Sequence, residues 1–399
     1  MGVATTPIVD PTKPEGVTVE RRTGLPFDPV LLLAVLGICA ASLITLHGAT
    51  KDDPNITANY YVTRQAVYFG VGLLLAAGLA RFDYSRLREL KYGLYAVLIG
   101  SILLVSALGS VSRGSRRAIA LPFFSFQASE VGKVLLVLSL SAFVVDRVRR
   151  LGERDTTARV MLAALVPAAL VMAQPDLGSA LVYVVIVLAI LYVAGTSWRH
   201  FAALAALGGV AIALVLVAAP AAGVTVLHQY QKDRLTAFLH PTDNPAKQGY
   251  QQNQSKIAIG AGQRTGRGDQ ASQTKLNFLP EHHTDFVFAV VGERWGFVGA
   301  ALVLSLYALM IWRGLRILTL SKNLFGALVA GGIVAMLMFQ VFVNVGMTVG
   351  IAPITGIPLP LMSYGGSSVI TTLLALGLLQ SIYAQGRAAA ALKGRVLTY

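Results

Sequence analysis

The amino-acid sequence predicts an all-α protein, a polytopic membrane helical bundle of about ten transmembrane helices, with a large extracytoplasmic loop between spans 7 and 8 and both termini cytoplasmic. Three observations carry that prediction. The 399 residues are 55% hydrophobic and only 13% charged, against about 25% charged in an ordinary soluble domain. Such a chain has too little polar surface to cover itself in water. Apolar runs long enough to cross about 30 Å of hydrocarbon recur along it. Between them, Lys and Arg collect in alternate short loops, the positive-inside pattern.

That pattern also accounts for the net charge of +14. The basic residues form short clusters between apolar stretches, with no basic groove motif and no aromatic-interleaved platform, so nucleic acid is not an expected partner. The 39 Gly and 16 Pro lie inside or beside apolar runs, which excludes disordered and collagen-like chains. No Walker, Rossmann or HExxH segment is present. Neither a fixed-period repeat nor a matching pair of broken helices of the inverted-repeat transporter kind is visible.

In chain order, residues 1–27 read as a cytoplasmic tail with Lys13, Arg21 and Arg22 but no apolar signal region, so no cleaved signal peptide is expected. Runs centred near residues 37, 71, 100 and 139 give the first four spans. The first contains Cys39, the sole cysteine, which can form neither an intramolecular disulfide nor a CxxC site and reads as a small packing residue. Runs near 165 and 186 follow. The former, Ala158 to Ala173, is short and is succeeded directly by Gln174-Pro175-Asp176, so spans 5 and 6 form a hairpin with a very tight turn. Runs near 211, 299, 337 and 374 complete a membrane domain over 28–386, and residues 387–399 form a second cytoplasmic tail.

Arg81, Arg86, Arg88 and Lys91 follow the second span; Arg147, Arg149, Arg150, Arg154 and Arg159 the fourth; Arg199 the sixth; and Arg313, Arg316 and Lys322 the eighth. Those loops are therefore cytoplasmic, with the tail that carries Arg387, Lys393 and Arg395. On the other side, the loop from about Ser110 to Ser129 carries Arg113, Arg116 and Arg117 against the bias. An external basic loop asks for an external anionic partner. The loop over 223–285 is too long to be a mere connection, and its segment Gln251 to Gly260 reads as a short amphipathic helix.

Three segments could carry chemistry. At the junction of the long loop with span 8, Glu281, His282, His283, Thr284 and Asp285 converge on the membrane surface. Asp285 or Glu281 could act as a general base on a substrate hydroxyl; alternatively Thr284 or Asp285 caps the helix that begins there. Within the apolar runs, Glu130 and Lys133 are three residues apart and able to pair, Asp176 stands at the tight turn, and Glu293 and Arg294 lie about two turns into span 8. Each is costly facing lipid, so they are either structural ion pairs or the lining of a polar cavity. The third segment, Pro353 to Ser368, is apolar yet rich in Pro and Gly, as expected of a re-entrant stretch buried against protein. It includes Ser363 and Gly365, and its Gly365-Gly366-Ser367-Ser368 end opens the last span as a potential phosphate cradle.

Together these segments resemble the SEDS family (shape, elongation, division and sporulation), membrane glycosyltransferases that polymerise the lipid-linked peptidoglycan precursor. The resemblance runs from about residue 28 to 386. It rests on Gly114-Ser115-Arg116-Arg117; Gln127-Ala128-Ser129-Glu130 with Lys133; Gln174-Pro175-Asp176-Leu177-Gly178; Gln254-Ser255-Lys256-Ile257-Ala258-Ile259-Gly260; Leu279 to Phe288; and Asn344-Val345-Gly346 through Ser368. The Gln254 to Gly260 and Gly356 to Pro360 stretches are closer to the elongation member of the family than to the division member.

The resemblance implies ten spans, a catalytic aspartate at Asp285, and a substrate cavity with Glu281, Arg117, Glu130, Lys133, Asp176 and Gln254; Arg113, Arg116, Ser255, His283, Ser363 and Gly365 join the expected binding set. It further implies lipid II and an undecaprenyl-diphosphate-linked glycan as substrates, and a class B penicillin-binding protein, a transpeptidase, as partner. Diphosphate departure calls for a divalent cation, Mg or Mn, held mainly by substrate phosphates; no organic cofactor is expected. A lipid II flippase and a non-catalytic transpeptidase scaffold are the alternatives. The sequence departs from the family where a Trp is replaced by Ala118, where QPSE reads Gln127-Ala128-Ser129-Glu130, where SGG reads Ala261-Gly262-Gln263, and where GEE reads Gly292-Glu293-Arg294.

Overall fold

The computed structural model describes residues 27–50, 59–112, 115–150, 153–214, 248–271, 278–279 and 282–396. Hydrocarbon offers no partner for backbone N–H and C=O groups, so an apolar run that crosses it must satisfy them internally as a helix. Each of the ten expected runs is one: α1 (Pro29–Thr50), α2 (Tyr60–Arg81), α3 (Lys91–Leu108), α4 (Ala128–Asp146), α5 (Arg154–Ala173), α6 (Leu177–Val193), α7 (Trp198–Ala213), α9 (Val287–Leu320), α10 (Leu324–Val349) and α11 (Gly366–Val396). Eight are at least 18 residues long and apolar enough to cross a membrane. The shorter two are α6, at 17 residues, and α7, at 16.

α5 and α6 are separated by the three residues expected of a tight hairpin. α11 continues past residue 386 to Val396, through Ala388 to Ala391, strong helix formers that carry the helix into the assigned tail. Both described chain ends lie at the same end of the bundle. The Asp28 N–H donates to Gln380 Oε1 of α11 at 2.7 Å, and the Asp28 carboxylate takes Arg313 of α9 at 2.8 Å. That carboxylate also accepts the first free N–H groups of α1, from Val30 and Leu31. α4, α6, α10 and α11 form the buried centre.

Two additions lie at the opposite end. The loop after α3 folds into a small antiparallel sheet, β1 (Ser110–Ser112), β2 (Ser115–Ala120) and β3 (Ser125–Phe126), in that order. The all-α prediction did not include it, because its strands are too short to show a period. The long loop contains α8 (Gln248–Gly262), which spans the predicted amphipathic segment. Gln252, Ser255, Ala258 and Gly262 form its buried face, and a Cβ at Gly262 would run into the Gly292 carbonyl of α9.

α9 has 34 residues, about 50 Å of helix, well over the hydrocarbon thickness. It is broken at Gly296, whose φ of 63° is open to glycine at little cost. The turn after α8 fills the break. Phe297 and Val298 donate N–H groups to the Gln263 and Arg264 carbonyls, at 2.9 and 3.1 Å, and Arg267 N–H donates to the Glu293 carbonyl at 2.8 Å. Each cut end thereby gains partners for groups that the break leaves without intrahelical ones.

Candidate active site

A cavity of about 330 Å³ opens at the end of the bundle that carries the sheet and α8. Five separate stretches build it: the first turns of α2, the run from β2 through the first turn of α4, the α5–α6 turn, the segment entering α9 and the segment entering α11. Among its lining residues are Arg64, Arg117, Glu130, Asp176, Asp285 and Gly365.

Asp285 is held by its backbone. Asn344 of α10, fully buried, donates one amide proton to the Asp285 carbonyl at 2.9 Å and the other to the Ile357 carbonyl at 2.8 Å. Ser363 adds a second tie, donating to the Thr284 carbonyl at 2.6 Å while its oxygen accepts the Leu359 N–H. The re-entrant segment is apolar and buried as expected, with Ile357, Leu359, Leu361 and Met362 inside the core. Phe286, not Thr284 or Asp285, occupies the N-cap of α9, with no side-chain cap there. The helix therefore begins beyond Asp285, which lines the cavity rather than serving as the N-cap.

Asp176 caps α6 by accepting the Ser179 N–H at 3.0 Å, and accepts from Ser129 Oγ at 2.9 Å and Gln127 Nε2 at 3.3 Å. Glu130 and Lys133 form the expected i,i+3 pair at 2.6 Å, both nearly inaccessible to solvent. Glu130 lines the cavity and Lys133 does not. Arg117 projects from β2 into the lining, and its buried Nε finds no hydrogen-bond partner among the described residues. The first turn of α11 opens on the same space through Gly366, Ser367 and Ser368. A Cβ at Gly366 would press on Phe124 and Tyr68, so only glycine lets the helix start this close to the cavity wall.

Other expected binding residues stand elsewhere. Ser255 Oγ donates to the Thr348 carbonyl of α10 at 2.8 Å, fully buried between helices, and Gln254 on the same helix is outside the lining. His283 stacks on Tyr61, with centroids 4.6 Å apart, and its carbonyl accepts the Tyr364 N–H at 2.9 Å. It braces the wall from behind. Arg116 pairs with Val111 in the sheet; its side chain, Arg113 and Glu281 lie outside the described residues.

Sequence reasoning missed Arg64. Its guanidinium lies 4.4 Å over the Tyr60 ring and donates to the Pro122 carbonyl. The available signal was a cation in the first turn of a span at the end that positive-inside keeps poor in cations. It missed also the aromatic residues Tyr68, Phe124 and Tyr364, which line the cavity of a chain that has Ala118 in place of the family's Trp. Burial pushes the Tyr364 phenol above its ordinary value, so it remains protonated. Arg294, another of the departures, is absorbed structurally: it donates to the Gly48 carbonyl at 2.6 Å and pairs with Asp269 at 2.8 Å, away from the lining.

This arrangement gathers carboxylates and guanidinium groups around one membrane-end cavity. A family model described as cell cycle protein and named for FtsW, RodA and SpoVE matches residues 26–388. Peptidoglycan glycosyltransferase MrdB of Escherichia coli (strain K12) is 36% identical over 357 residues, covering 89% of this chain and 93% of that protein. A chain from a solved peptidoglycan synthase complex, titled for structural coordination of polymerization and crosslinking, is 33% identical with a TM-score of 0.75, covering 91% of this chain and 99% of its own. The crystal structure of Thermus thermophilus rod shape determining protein RodA is 31% identical with a TM-score of 0.65, over 90% of this chain and 97% of its own. The match extends over nearly the whole membrane domain in sequence and in fold, and the chain belongs to the FtsW/RodA/SpoVE family.

Proposed function

We propose that this protein is a peptidoglycan glycosyltransferase that polymerises lipid II into β-1,4 glycan strands at the outer face of the bacterial plasma membrane during cell elongation. The observation that carries the reading is the placement of Asp285 in one cavity with Arg64, Arg117 and the start of α11. A base and groups suited to an anionic leaving group then face the same space.

In this mechanism the donor is the growing glycan on undecaprenyl diphosphate and the acceptor is lipid II. The acceptor sugar 4-hydroxyl attacks the donor anomeric carbon and gives up its proton to the Asp285 carboxylate. The new C–O bond forms as the bond from the anomeric carbon to the diphosphate breaks, and the diphosphate leaves with the electron pair. In-line attack on an α-linked diphosphate gives a β bond by inversion, which needs one base and a stabilised leaving group. Arg117 and Arg64 are placed to supply positive charge, and free N–H groups at the start of α11 add to it. Lys133 is engaged by Glu130 and acts through it.

Among the described residues no cluster of three or more His, Cys, Asp or Glu could hold a metal ion. The donor set fits a divalent cation brought by substrate phosphates and met by one or two carboxylates, Asp285 and Glu130 being those on the lining without a helix to cap. Such an ion would neutralise diphosphate charge. A class B penicillin-binding protein is the proposed partner, supported by the similarity to a chain of a peptidoglycan synthase complex.

The test is polymerisation of labelled lipid II by the purified protein with its transpeptidase subunit, wild type against Asp285→Asn, with products resolved by gel. Polymer from the wild type and none from a folded mutant that still binds lipid II is the expected result. Equal polymer from both moves the base elsewhere. Absence of polymer from either, with lipid II bound and the partner active, would sink the transferase in favour of a flippase or scaffold.

A further inference from the structure

At the end of the bundle away from the cavity, α7 differs from every other span. None of its described residues is buried, whereas each other span has a buried face. Its contacts with the bundle are few: Phe201 and Leu204 rest half-buried against the core, Phe201 edge-on to Tyr192, and the His200 ring Nδ1 lies 3.0 Å from Thr157 Oγ1 of α5. Between α5 and α7 runs a crevice of about 960 Å³. Arg154 and Arg199 share one end of it with Trp198, and Ala203, Leu204 and Leu207 continue along it. Leu207 is about 13 Å from Trp198 along the helix axis.

The charges at that end are not balanced internally. Arg154 and Arg199 form no ion pair among the described residues, while neighbouring Arg159 is engaged by Asp155 at 2.8 Å. The remaining nearby carboxylate is Glu153, at the N-cap of α5, and Arg149 and Arg150 precede it. An excess of cations therefore stands over an apolar trough open to the hydrocarbon. Trp198, highly exposed, is placed where an indole belongs at a membrane–water boundary.

We infer that this crevice binds one anionic phospholipid of the cytoplasmic leaflet, its head-group phosphate between Arg154 and Arg199 and an acyl chain against Ala203, Leu204 and Leu207. Basic pockets between spans on that side attract anionic lipids at about 1 kcal/mol per cation. The lipid covers Ala203 and Leu207, which the protein leaves exposed. A second apolar cleft, of about 500 Å³ between α1, α2 and α11, serves as an internal control. Its one cation, Arg81, donates to the Ala77 carbonyl of its own helix and has no companion.

The test uses full-length protein in phosphatidylcholine vesicles doped with brominated phosphatidylglycerol or brominated phosphatidylcholine. Quenching of Trp198 is read as the difference between wild type and Trp198→Phe. Brominated phosphatidylglycerol should quench at a mole fraction lower by roughly fivefold per arginine engaged. Arg154→Gln/Arg199→Gln should abolish that preference, Arg81→Gln should leave it unchanged, and inorganic phosphate should not relieve quenching. Equal quenching by the two lipids in the wild type overturns the inference, and so does a preference that survives the double substitution. Loss of the phosphatidylglycerol preference on adding inorganic phosphate would show that the arginines take any phosphate group, and overturns selection of a lipid. All three arginines are exposed enough that an unchanged elution profile of each variant secures the comparison.

Discussion

The two ends of this helical bundle treat charge in opposite ways. At the end where both described chain ends lie, every described aspartate is matched to a cation: Asp28 with Arg313, Asp83 with Lys322, Asp146 with Arg88 and Lys91, and Asp155 with Arg159. At the cavity end Asp176 is held by neutral donors, and Arg117 has a buried nitrogen without a hydrogen-bond partner among the described residues. Burying a charge without an opposite charge costs stability. Its presence at the cavity end sets that end apart from the one where ion pairs fix the helices. Glu130 and Lys133 are the exception at the cavity wall; Arg294 and Asp269 also pair at this end, away from the lining.

The sharpest break in the comparison is at Asp285. If its carboxylate is the base, Asp285→Asn should lower lipid II polymerisation by roughly 10²–10⁴-fold with little change in thermal unfolding. A parallel loss of stability would place Asp285 with the structural charges instead. Next comes the exception. Lys133→Met leaves the Glu130 carboxylate buried without its cation and should cost about 3–5 kcal/mol, read as a fall in the unfolding midpoint. Replacing both residues, Glu130→Leu with Lys133→Met, should cost far less; equal losses would mean that the pair does not act as a unit.

A smaller effect tests where the site stops. Ser255→Ala removes the bond to the Thr348 carbonyl and should cost about 1 kcal/mol of stability, with kcat preserved. A fall in kcat without a fall in stability would extend the site to α8. The smallest effect is expected at the paired end, where Lys322→Gln weakens a half-exposed pair with Asp83 and should change stability by less than about 1 kcal/mol.

Much of this was legible in the sequence because membrane spans are set by one-dimensional properties. A run of apolar residues must be a helix in hydrocarbon whatever its neighbours do, so all ten helices fall on the predicted runs. The Glu130–Lys133 pair was legible for a similar reason, since helix geometry alone brings i and i+3 together. The short strands that present Arg117 gave no period to read, and Arg64 lacked a local motif. Ser255 and Asp285 were each legible as part of a motif, yet one hydroxyl is spent on a neighbouring helix while the other residue lines the cavity.

The sequence by itself determined the number and placement of the spans and the chemical inventory, because hydropathy and i,i+3 spacing act locally along the chain. Only the tertiary structure decided which of those charged groups share a cavity. That choice depends on Asn344 and Ser363 fastening the Asp285 segment, on glycine at 262, 296 and 366 admitting close backbone approach, and on five distant stretches meeting at one end. Contacts between residues hundreds of positions apart are fixed by packing, which no local pattern encodes.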